Sequence, residues 1–363
     1  MRQDRCIIFS TGNWDFLSYN VKLVRYNLCL VMTLHGIGVA GIGTTGKSVV
    51  EKISFSLPDA RCVTLDDSKW NISGGRAQEI KLPLDFDRSI GNIKRMAWNS
   101  TEEISETFKD VDSSIVVTGL GGMVGSSAAP IIAQRLKEDG KKVLGVTIMP
   151  FKFEKDRLFR AAVGLKKMKV ICDGVVIIDN QDFIEKAPQT PLLHAYEIEN
   201  VWISKFISSL FSSDERFGLN ENEIYGFTSN NKNNVLAIGT AEGSSMAEEA
   251  TFKVSSSLRR QSKSNVNGAL MCVVGWKDLS VGDFSTIIST FRGMTLCEGE
   301  VKTGFYASGE RNLTVYALAA VEHTRFEDWD PLSAILGDRE LDLDPCCGMK
   351  LDEGDCSKIC RID

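Results

Sequence analysis

Two glycine-rich segments contain the residues of this chain whose types and spacing are best suited to chemistry. The first is Gly41–Ser48, and the second is Gly119–Ser127, which is followed by Ala128–Pro130. Each segment follows an apolar run and precedes an amphipathic one, a pattern that predicts a strand, a loop and a helix. Backbone N–H groups at the start of a helix attract phosphate. Two such loops at the strand ends of one sheet therefore predict a phosphate chain that is held from two sides.

One interpretation of the first segment is a P-loop, since Gly41 and Gly46 are followed by Lys47 and Ser48 at the required spacing. In a P-loop the amides cradle phosphates, the lysine reaches the β- and γ-phosphates, and the serine hydroxyl binds Mg²⁺. An acidic partner is also present, because Asp179 ends a short apolar run. This interpretation predicts an ATPase that uses Lys47, Ser48 and Asp179.

Other interpretations of the first segment are open as well. Gly41, Gly43 and Gly46 match the dinucleotide fingerprint, and Asp66 or Asp67 stands about 20 residues on, where a ribose ligand is expected. The segment also fits another kind of nucleotide loop, or glycines that only permit a tight turn between strand and helix.

The composition is that of a globular protein and argues against several classes of function. The chain has 363 residues and is 43% hydrophobic and 25% charged, with a net charge of −6, which argues against nucleic acid as a partner. Residues 321–363 hold twelve acidic and five basic residues, so the negative charge belongs to a tail suited to binding partners. No stretch approaches the ~20 apolar residues that span a bilayer, and we expect no direct membrane insertion.

The N-terminus and the cysteines predict a cytoplasmic protein. The apolar run Cys6–Phe9 is too short for a signal peptide, so the ten cysteines are expected to be reduced thiols. Four of them lie in the acidic tail, at Cys346, Cys347, Cys356 and Cys360. Their spacing matches no standard zinc motif. Of the two alternatives, a metal site or a flexible, redox-sensitive or partner-binding tail, we favour the second and predict no metal site.

The pattern of apolar runs predicts an α/β fold in two parts. Strands and helices alternate through residue 180, which predicts a doubly wound parallel sheet. Residues 68–99 are poorly patterned. An amphipathic helix follows over Pro191–Phe211, and residues 212–234 are predicted to be a loop. A second unit begins at Val235, with a smaller mixed sheet whose last two strands form a hairpin around Ser308–Glu310.

Five later segments, taken in order, resemble the tubulin/FtsZ family. Val116–Ala133 resembles the signature loop of that family and the helix after it, and Val146–Glu154 resembles a strand that ends in proline, phenylalanine and glutamate. Asp173–Asn180 is similar to the strand before the base-binding asparagine, and Thr190–Tyr196 to the start of the central helix. Val235–Ala241 is similar to the opening of the second domain.

This resemblance covers about residues 33–321 and is closest to a divergent, archaeal-type FtsZ-like protein. It implies a Rossmann-like parallel-sheet GTP-binding domain joined by a long central helix to a smaller α+β domain. The predicted parts are an N-terminal arm or misassigned start (1–31), a GTP-binding domain (32–190), the central helix (191–211), a linker with a degraded catalytic loop (212–234), a C-terminal α+β domain (235–325) and an acidic, cysteine-containing tail (326–363).

At the guanine end, the resemblance implies that Asn180 hydrogen-bonds the base, Tyr196 stacks on it and Asn200 reads its edge. Tyr196 and Asn200 are four positions apart on one helix, so they are expected to project from the same face. Glu154 matches the glutamate that contacts the ribose in this family. Leu158 stands where the family has an arginine.

At the phosphate end, the resemblance implies close contact between glycine loops and phosphates. Met123 stands where the family has glycine, and Val124 where it has a phosphate-binding threonine; we expect Lys47 to offset the lost hydroxyl by pairing with phosphate. Asp66 or Asp67 could stand near the metal-bound phosphates. The remaining predicted binding residues of the two loops are Gly41, Gly43, Gly46, Gly121, Gly122, Gly125 and Ser126.

Hydrolysis in this family is completed between subunits, as the resemblance implies, when two aspartates of a loop after the central helix approach the neighbour's nucleotide. Asn220 matches that loop, but Asn222 and Tyr225 occupy the aspartate positions and cannot act as carboxylate bases. Glu221 and Glu223 flank these positions and are the alternative catalytic residues.

The preferred hypothesis is a GTP-binding cytoskeletal protein, with Mg²⁺ as a candidate second cofactor. It would assemble head to tail with itself or with a conventional FtsZ-like polymer, in cell division or as a scaffold or regulator, with weak or absent GTP hydrolysis. The alternatives are an active filament-forming GTPase that uses Glu221 or Glu223, and the P-loop ATPase.

Overall fold

The computed structural model describes residues 36–67, 76–84, 88–211, 219–231, 233–262, 264–308, 311–328 and 330–331. The predicted N-terminal arm and the four cysteines of the acidic tail lie outside these residues.

The described residues form ten strands and ten α-helices. The strands are β1 (Ile37–Ile42), β2 (Arg61–Asp66), β3 (Gln78–Lys81), β4 (Ser113–Gly119), β5 (Lys142–Met149), β6 (Gly174–Asp179), β7 (Asn233–Glu242), β8 (Val266–Trp276), β9 (Val301–Ser308) and β10 (Asn312–Val321). The helices are α1 (Gly43–Ser56), α2 (Ile90–Asn99), α3 (Thr101–Thr107), α4 (Met123–Glu138), α5 (Lys155–Ile171), α6 (Asn180–Lys186), α7 (Leu192–Leu210), α8 (Glu221–Ser229), α9 (Met246–Gln261) and α10 (Val281–Thr295).

All ten strands belong to one sheet, in the order β3-β2-β1-β4-β5-β6-β7-β10-β8-β9. The strands from β3 to β6 are parallel, which confirms the predicted parallel half. Beyond β7 the sheet is mixed, because β10 is antiparallel to both of its neighbours and β9 is parallel to β8. The two halves meet where β6 pairs with β7, Val176 with Asn234 and Ile177 with Val235.

Helices cover both faces of the parallel half because its strands are apolar on both sides. Successive residues of β4 are fully buried. Val116 packs into a core with α2, α3, α4 and α5, whereas Ile115 and Val117 pack into the opposite core with α1 and α7. In the second half, α9 and α10 pack against β7, β8 and β10 in a third core.

The central helix α7 packs against both halves of the sheet, as the sequence predicts. Phe206 shares a core with Val176 of β6 and with Leu318 of β10. Its ring also lies 5.7 Å from that of Tyr316 on β10, between ring centroids. Burial of this apolar helix face therefore stabilises both halves together.

Two local predictions are wrong. The last two strands form no hairpin, because β8 lies between β9 and β10; that leaves the eight-residue β9 at one edge of the sheet. The predicted loop at 212–234 contains the helix α8, and its Asn220 is the N-cap. The poorly patterned segment 68–99 contains the edge strand β3 and the amphipathic helix α2.

Among the described residues, none of the helices combines the length and the apolar character that crossing a membrane requires.

Gly46→Ala is expected to lower the free energy of unfolding by about 1–3 kcal/mol, because overpacking a close contact costs that much. A Cβ at Gly46 would collide with the carbonyl oxygen of Val117 in β4. Gly226→Ala is the matched control, since Gly226 lies inside α8 and its new Cβ would meet nothing within 4 Å; it should gain about 0.5–1 kcal/mol. Urea unfolding measures both, and equal midpoints would contradict the close approach of α1 to β4.

Candidate functional site

A cleft of about 330 Å³ lies at the carboxyl ends of the parallel strands, where ligands bind in open α/β sheets. The starts of α1 and α4, the end of β2 and the start of α7 form its walls. The residues that line it are Gly43, Thr44, Thr45, Asp66, Asp67, Arg88, Gly119, Leu120, Gly122, Met123, Val124, Gly125, Ile148, Met149, Pro150, Glu154, Arg157, Asn180 and Tyr196.

The two glycine-rich loops touch each other in the floor of this cleft. Gly43 has a φ of +75°, and a Cβ placed there would lie 3.1 Å from the backbone nitrogen of Gly125. A side chain at Gly43 would therefore be strained and would also press on the second loop. Because α1 begins at Gly43 and α4 at Met123, each loop is itself the first turn of its helix. The structure thus brings two helix N-termini to one place, as the sequence predicts.

The second loop is held in shape by its own polar groups. The backbone N–H of Gly121 donates to the Ser126 hydroxyl oxygen at 2.8 Å, and Arg160 Nε donates to the Gly121 carbonyl at 2.9 Å. Gly121 has a φ of +95°. These two predicted binding residues, Gly121 and Ser126, do not line the cleft; they fix the loop whose members Gly122 and Gly125 do.

Gly41 and Gly46 are likewise outside the lining of the cleft and serve packing. A Cβ at Gly41 would collide with the Gly46 carbonyl oxygen, so both glycines allow α1 to lie close against the sheet. Of the three glycines predicted in the first loop, only Gly43 lines the cleft among the residues described.

Asn180, Tyr196 and Glu154 come together at one end of the cleft, as the sequence predicts. Asn180 follows β6 directly, and its buried Oδ1 has no hydrogen-bond partner among the described residues. The Tyr196 hydroxyl shares a hydrogen bond with Glu154; burial, together with this carboxylate, raises the pKa of Tyr196 to about 12. The Phe151 ring lies 5.4 Å from that of Tyr196, between centroids, and so supports the tyrosine from the protein side.

Arg157 also lines this end of the cleft, although the family pattern places the arginine one position later. Its guanidinium pairs with Glu154 at 2.7 Å. Leu158, at the expected position, is instead buried in the core. In the sequence, the indication that Arg157 could take this place is that it immediately precedes Leu158.

Asn200, which was predicted to read the base, does not line the cleft. Its Nδ2 donates to the Ser48 hydroxyl at 3.2 Å, so the side chain links α7 to α1. Four residues on a helix turn through slightly more than one full turn, and here that offset directs Asn200 towards α1 and Tyr196 towards the cleft.

Lys47 does not line the cleft either. Its side chain is 4% exposed, and the ammonium forms an ion pair with Glu79 of β3. Neither the expected pairing of Lys47 with phosphate nor the P-loop interpretation, which needs this ammonium at the phosphates, is supported by that position. Asp179, the third residue of the P-loop interpretation, is also outside the cleft lining and accepts a hydrogen bond from the Gln181 N–H at 2.9 Å.

The other end of the cleft carries two carboxyl groups and an arginine. Asp66 ends β2, and its Oδ2 accepts a hydrogen bond from Thr44 at 3.2 Å. Asp67 forms an ion pair with Arg88. Burial, aided by Asp66, raises the pKa of Asp67, whereas Arg88 opposes the rise. No sequence pattern singles out Arg88, because it lies within the poorly patterned segment 68–99 that also holds β3.

The predicted catalytic residues lie at the opposite end of the strands from the cleft, next to the first residues of β4 and β5. Glu221 accepts a hydrogen bond from Ser113, the first residue of β4. Asn222 accepts one from Lys142, the first residue of β5, at 3.1 Å. The buried Tyr225 donates to the Ser114 carbonyl at 3.0 Å.

Asn220 and Glu223 form the N-terminal cap of α8. The Glu223 N–H donates to Asn220 Oδ1 at 2.9 Å, and the Asn220 N–H donates to Glu223 Oε2 at 3.0 Å. The other oxygen of Glu223 accepts from Lys302 at 3.3 Å. Within one chain, therefore, these residues stabilise α8 and are a strand length away from the cleft.

Comparison with solved structures shows which fold this is. An empty FtsZ dimer from Methanocaldococcus jannaschii aligns with a TM-score of 0.70 at 22% identity, over 80% of this chain and 89% of that one. A GTPγS-bound protofilament of CetZ2 from Haloferax volcanii aligns with a TM-score of 0.67 at 19% identity, over 83% of this chain and 98% of that one. At these identities the likeness shows the fold alone.

Sequence comparisons agree. The tubulin/FtsZ family GTPase domain matches residues 86–188. The cell division protein FtsZ 2 of Methanocaldococcus jannaschii is 28% identical over 180 residues, 47% of each protein. Together these likenesses support a divergent FtsZ-like protein of the tubulin superfamily. The match spans about half the length of that curated relative.

The lining of the cleft has groups suited to a purine nucleotide. The orphaned oxygen of Asn180 is suited to accept from the amino group on the base edge, and Tyr196 offers an aromatic face. At the far end, the carboxylates Asp66 and Asp67 have the oxygen ligands that Mg²⁺ prefers, although the described residues contain no group of three His, Cys, Asp or Glu side chains placed to hold a metal.

Beneath the base end, the FtsZ-like fold buries a second group of carboxyls around a small cavity of about 30 Å³. Burial raises the pKa of Glu199 on α7 to about 8, with Asp179 adding to the effect and Lys186 opposing it. Burial likewise raises the pKa of Asp179 to about 6. Asp182 differs, because Lys186 and Arg260 outweigh its burial and lower its pKa. Burial therefore favours the neutral form of the Glu199 carboxyl in the folded protein.

The free energy of unfolding is expected to fall as the pH rises from about 4.5 to about 8, the ordinary and the folded pKa of Glu199. In this range the unfolded chain releases the Glu199 proton whereas the folded chain keeps it, so stability decreases with pH. Glu199→Gln should flatten the decline and be most stabilising, relative to the original chain, near pH 8. Urea unfolding across this range measures the effect.

The matched control is Glu197→Gln on the exposed side of α7, which should leave the slope unchanged. An identical pH slope in Glu199→Gln and in the original chain would contradict the buried, neutral carboxyl.

Proposed function

We propose that the protein binds GTP in the cleft and assembles head to tail in the cytoplasm, with little or no hydrolysis, as a scaffold or regulator of a conventional FtsZ-like polymer in cell division. The observation that carries this proposal is the placement of the two sets of residues. Gly43, Gly125, Asn180 and Tyr196 line the cleft at the carboxyl ends of the strands, whereas Glu221, Asn222 and Tyr225 contact the amino ends of β4 and β5.

The direction of the nucleotide in the cleft follows from its two ends. Asn180 and Tyr196 are suited to the guanine base, whereas the touching loops at Gly43 and Gly125 offer backbone N–H groups to phosphates. Asp66 and Asp67 lie beyond those loops, where Mg²⁺ would neutralise the phosphate tail. Bound Mg²⁺ would supply charge neutralisation there.

Head-to-tail assembly would bring the α8 edge of one copy to the cleft of the next, because the two lie at opposite ends of the strands. The related structures are described as a dimer of FtsZ and a protofilament of CetZ2, which supports the same mode of assembly in this chain.

Weak hydrolysis is proposed because the α8 edge lacks a free carboxylate at the required positions. Asn222 and Tyr225 cannot take a proton from water as a carboxylate does. Glu221 and Glu223, the alternatives, are engaged with Ser113 and Lys302. We therefore favour GTP binding over an active GTPase, and the position of Lys47 gives no support to a P-loop ATPase.

Nucleotide extracted from the purified protein is expected to be GTP or GDP, and phosphate release should stay low as the protein concentration rises. The reason is that assembly would bring Asn222 and Tyr225 to the nucleotide at the two positions where a carboxylate base is needed. Chromatography of the extract and a phosphate-release assay across a range of protein concentrations measure both. Release that rises with concentration would instead support an active GTPase, and bound ATP would overturn the proposal.

Asn180→Ala is expected to weaken GTP binding by about tenfold or more, the value of a hydrogen bond to a buried partner group, without lowering the stability of the empty protein. Stability should hold because Asn180 Oδ1 has no partner in the empty cleft. Asn200→Ala is the control; it removes the bond to Ser48 and should have the smaller effect on binding. Titration with a fluorescent GTP analogue and urea unfolding separate the two quantities, and a larger loss of binding in Asn200→Ala would refute the assignment.

A further inference from the structure

We propose that Arg88 binds the terminal phosphate of the nucleotide, while it remains paired with Asp67. This inference rests on the proposed GTP binding and adds a residue that neither of the glycine loops supplies.

The order of the strands places Arg88 at the phosphate end. The cleft runs from Asn180, after β6, past the loops after β5, β4 and β1, to Asp66 and Asp67 at the end of β2. Four interstrand spacings of ~4.8 Å separate β6 from β2, about 19 Å in all. A base held at Asn180 therefore extends its phosphate chain towards β2. Arg88 lines the cleft there, next to Asp67.

The charges that line the cleft favour a protein cation at this end, in addition to any bound Mg²⁺. Among the described lining residues, the charged ones are Asp66, Asp67, Glu154, Arg88 and Arg157, so carboxyls outnumber guanidiniums. Arg157 is held by Glu154 at the base end. A triphosphate that approaches Asp66 and Asp67 would be repelled, unless a positive charge lies between them.

Arg88 has the exposure and the chemistry for this position. The Asp67 side chain is 8% exposed, whereas the Arg88 side chain is 62% exposed, so the guanidinium reaches from the wall into the open cleft. A guanidinium carries five N–H donors in a planar fork. It can keep its bond to the Asp67 carboxylate and still donate to a phosphate oxygen on its other side.

The same arginine compensates for donors that the second loop has lost. Val124 stands where the related proteins are expected to have a hydroxyl, and its side chain is buried. Lys47 is turned to Glu79. Among the described residues that line the cleft, Arg88 is therefore the cation at the phosphate end.

The test compares Arg88→Ala with the original full-length chain in binding GTP, GDP and GMP by isothermal titration, with Mg²⁺ and with EDTA. We expect Arg88→Ala to lose about tenfold or more in GTP affinity, since bonds to charged groups are the strong ones. The loss should be smaller for GDP and within about twofold for GMP, because only the longer phosphate chains reach β2.

Arg95→Ala is the matched control. Arg95 lies on α2, pairs with Asn92 and does not line the cleft, so its removal takes away the same charge and should leave all three affinities unchanged. Thermal unfolding checks that both variants are folded, which is expected because the Arg88 side chain is largely exposed.

Three results would overturn the inference while the original chain still binds GTP. These are an unchanged GTP affinity in Arg88→Ala, an equal loss for GMP and GTP, and an equal loss in Arg95→Ala. If the original chain binds no guanine nucleotide, the proposed function fails, and the inference fails with it.

Discussion

The close approach of two loops that have no side chains between them is the constraint on which the rest of the site depends. Gly43 and Gly125 meet at the strand ends, and Gly46 lets α1 lie directly against the Val117 carbonyl of β4. Because α1 and α4 begin inside the loops, their free N–H groups face one volume. Larger side chains at these glycines would push α1 away from β4 and from the second loop. The floor of the cleft would then be disrupted even if every other lining residue were unchanged.

The parallel sheet also fixes the distance between the cleft and the residues of α8, which lie at opposite ends of β4. β4 has seven residues, and at ~3.3 Å per residue its two ends are about 20 Å apart. Glu221 and Tyr225 are hydrogen-bonded to the first two residues of this strand, Ser113 and Ser114. Its last residue, Gly119, lines the cleft. No rotation of side chains covers that length, so Glu221 and Tyr225 cannot reach the cleft of their own chain.

The sequence predicts those parts of the molecule that local patterns control. The helix predicted over Pro191–Phe211 is found as α7, and the glycine loops lie where alternating strands and helices place them. Lys47 and Asn200 show where such reasoning stops, because a helical position fixes spacing but not the direction in which that face of the helix points. Lys47 pairs with β3, a four-residue edge strand with no clear pattern in the sequence. Arg88 lies in the same poorly patterned segment of the sequence, and its position in the cleft depends on the order of strands across the whole sheet, which local periodicity does not encode.

The edge strand β9 bears on how copies of this protein can come together. A long, exposed edge presents unpaired N–H and C=O groups that can recruit a strand from another chain, and a charged side chain on the edge discourages this. β9 carries Lys302, held by Glu223 of α8. If the β9 strands of two copies paired edge to edge, as in aggregation, Lys302 would face the charged edge of the other copy or lose its contact with Glu223. The fold thereby protects its most vulnerable border with the same glutamate that caps α8.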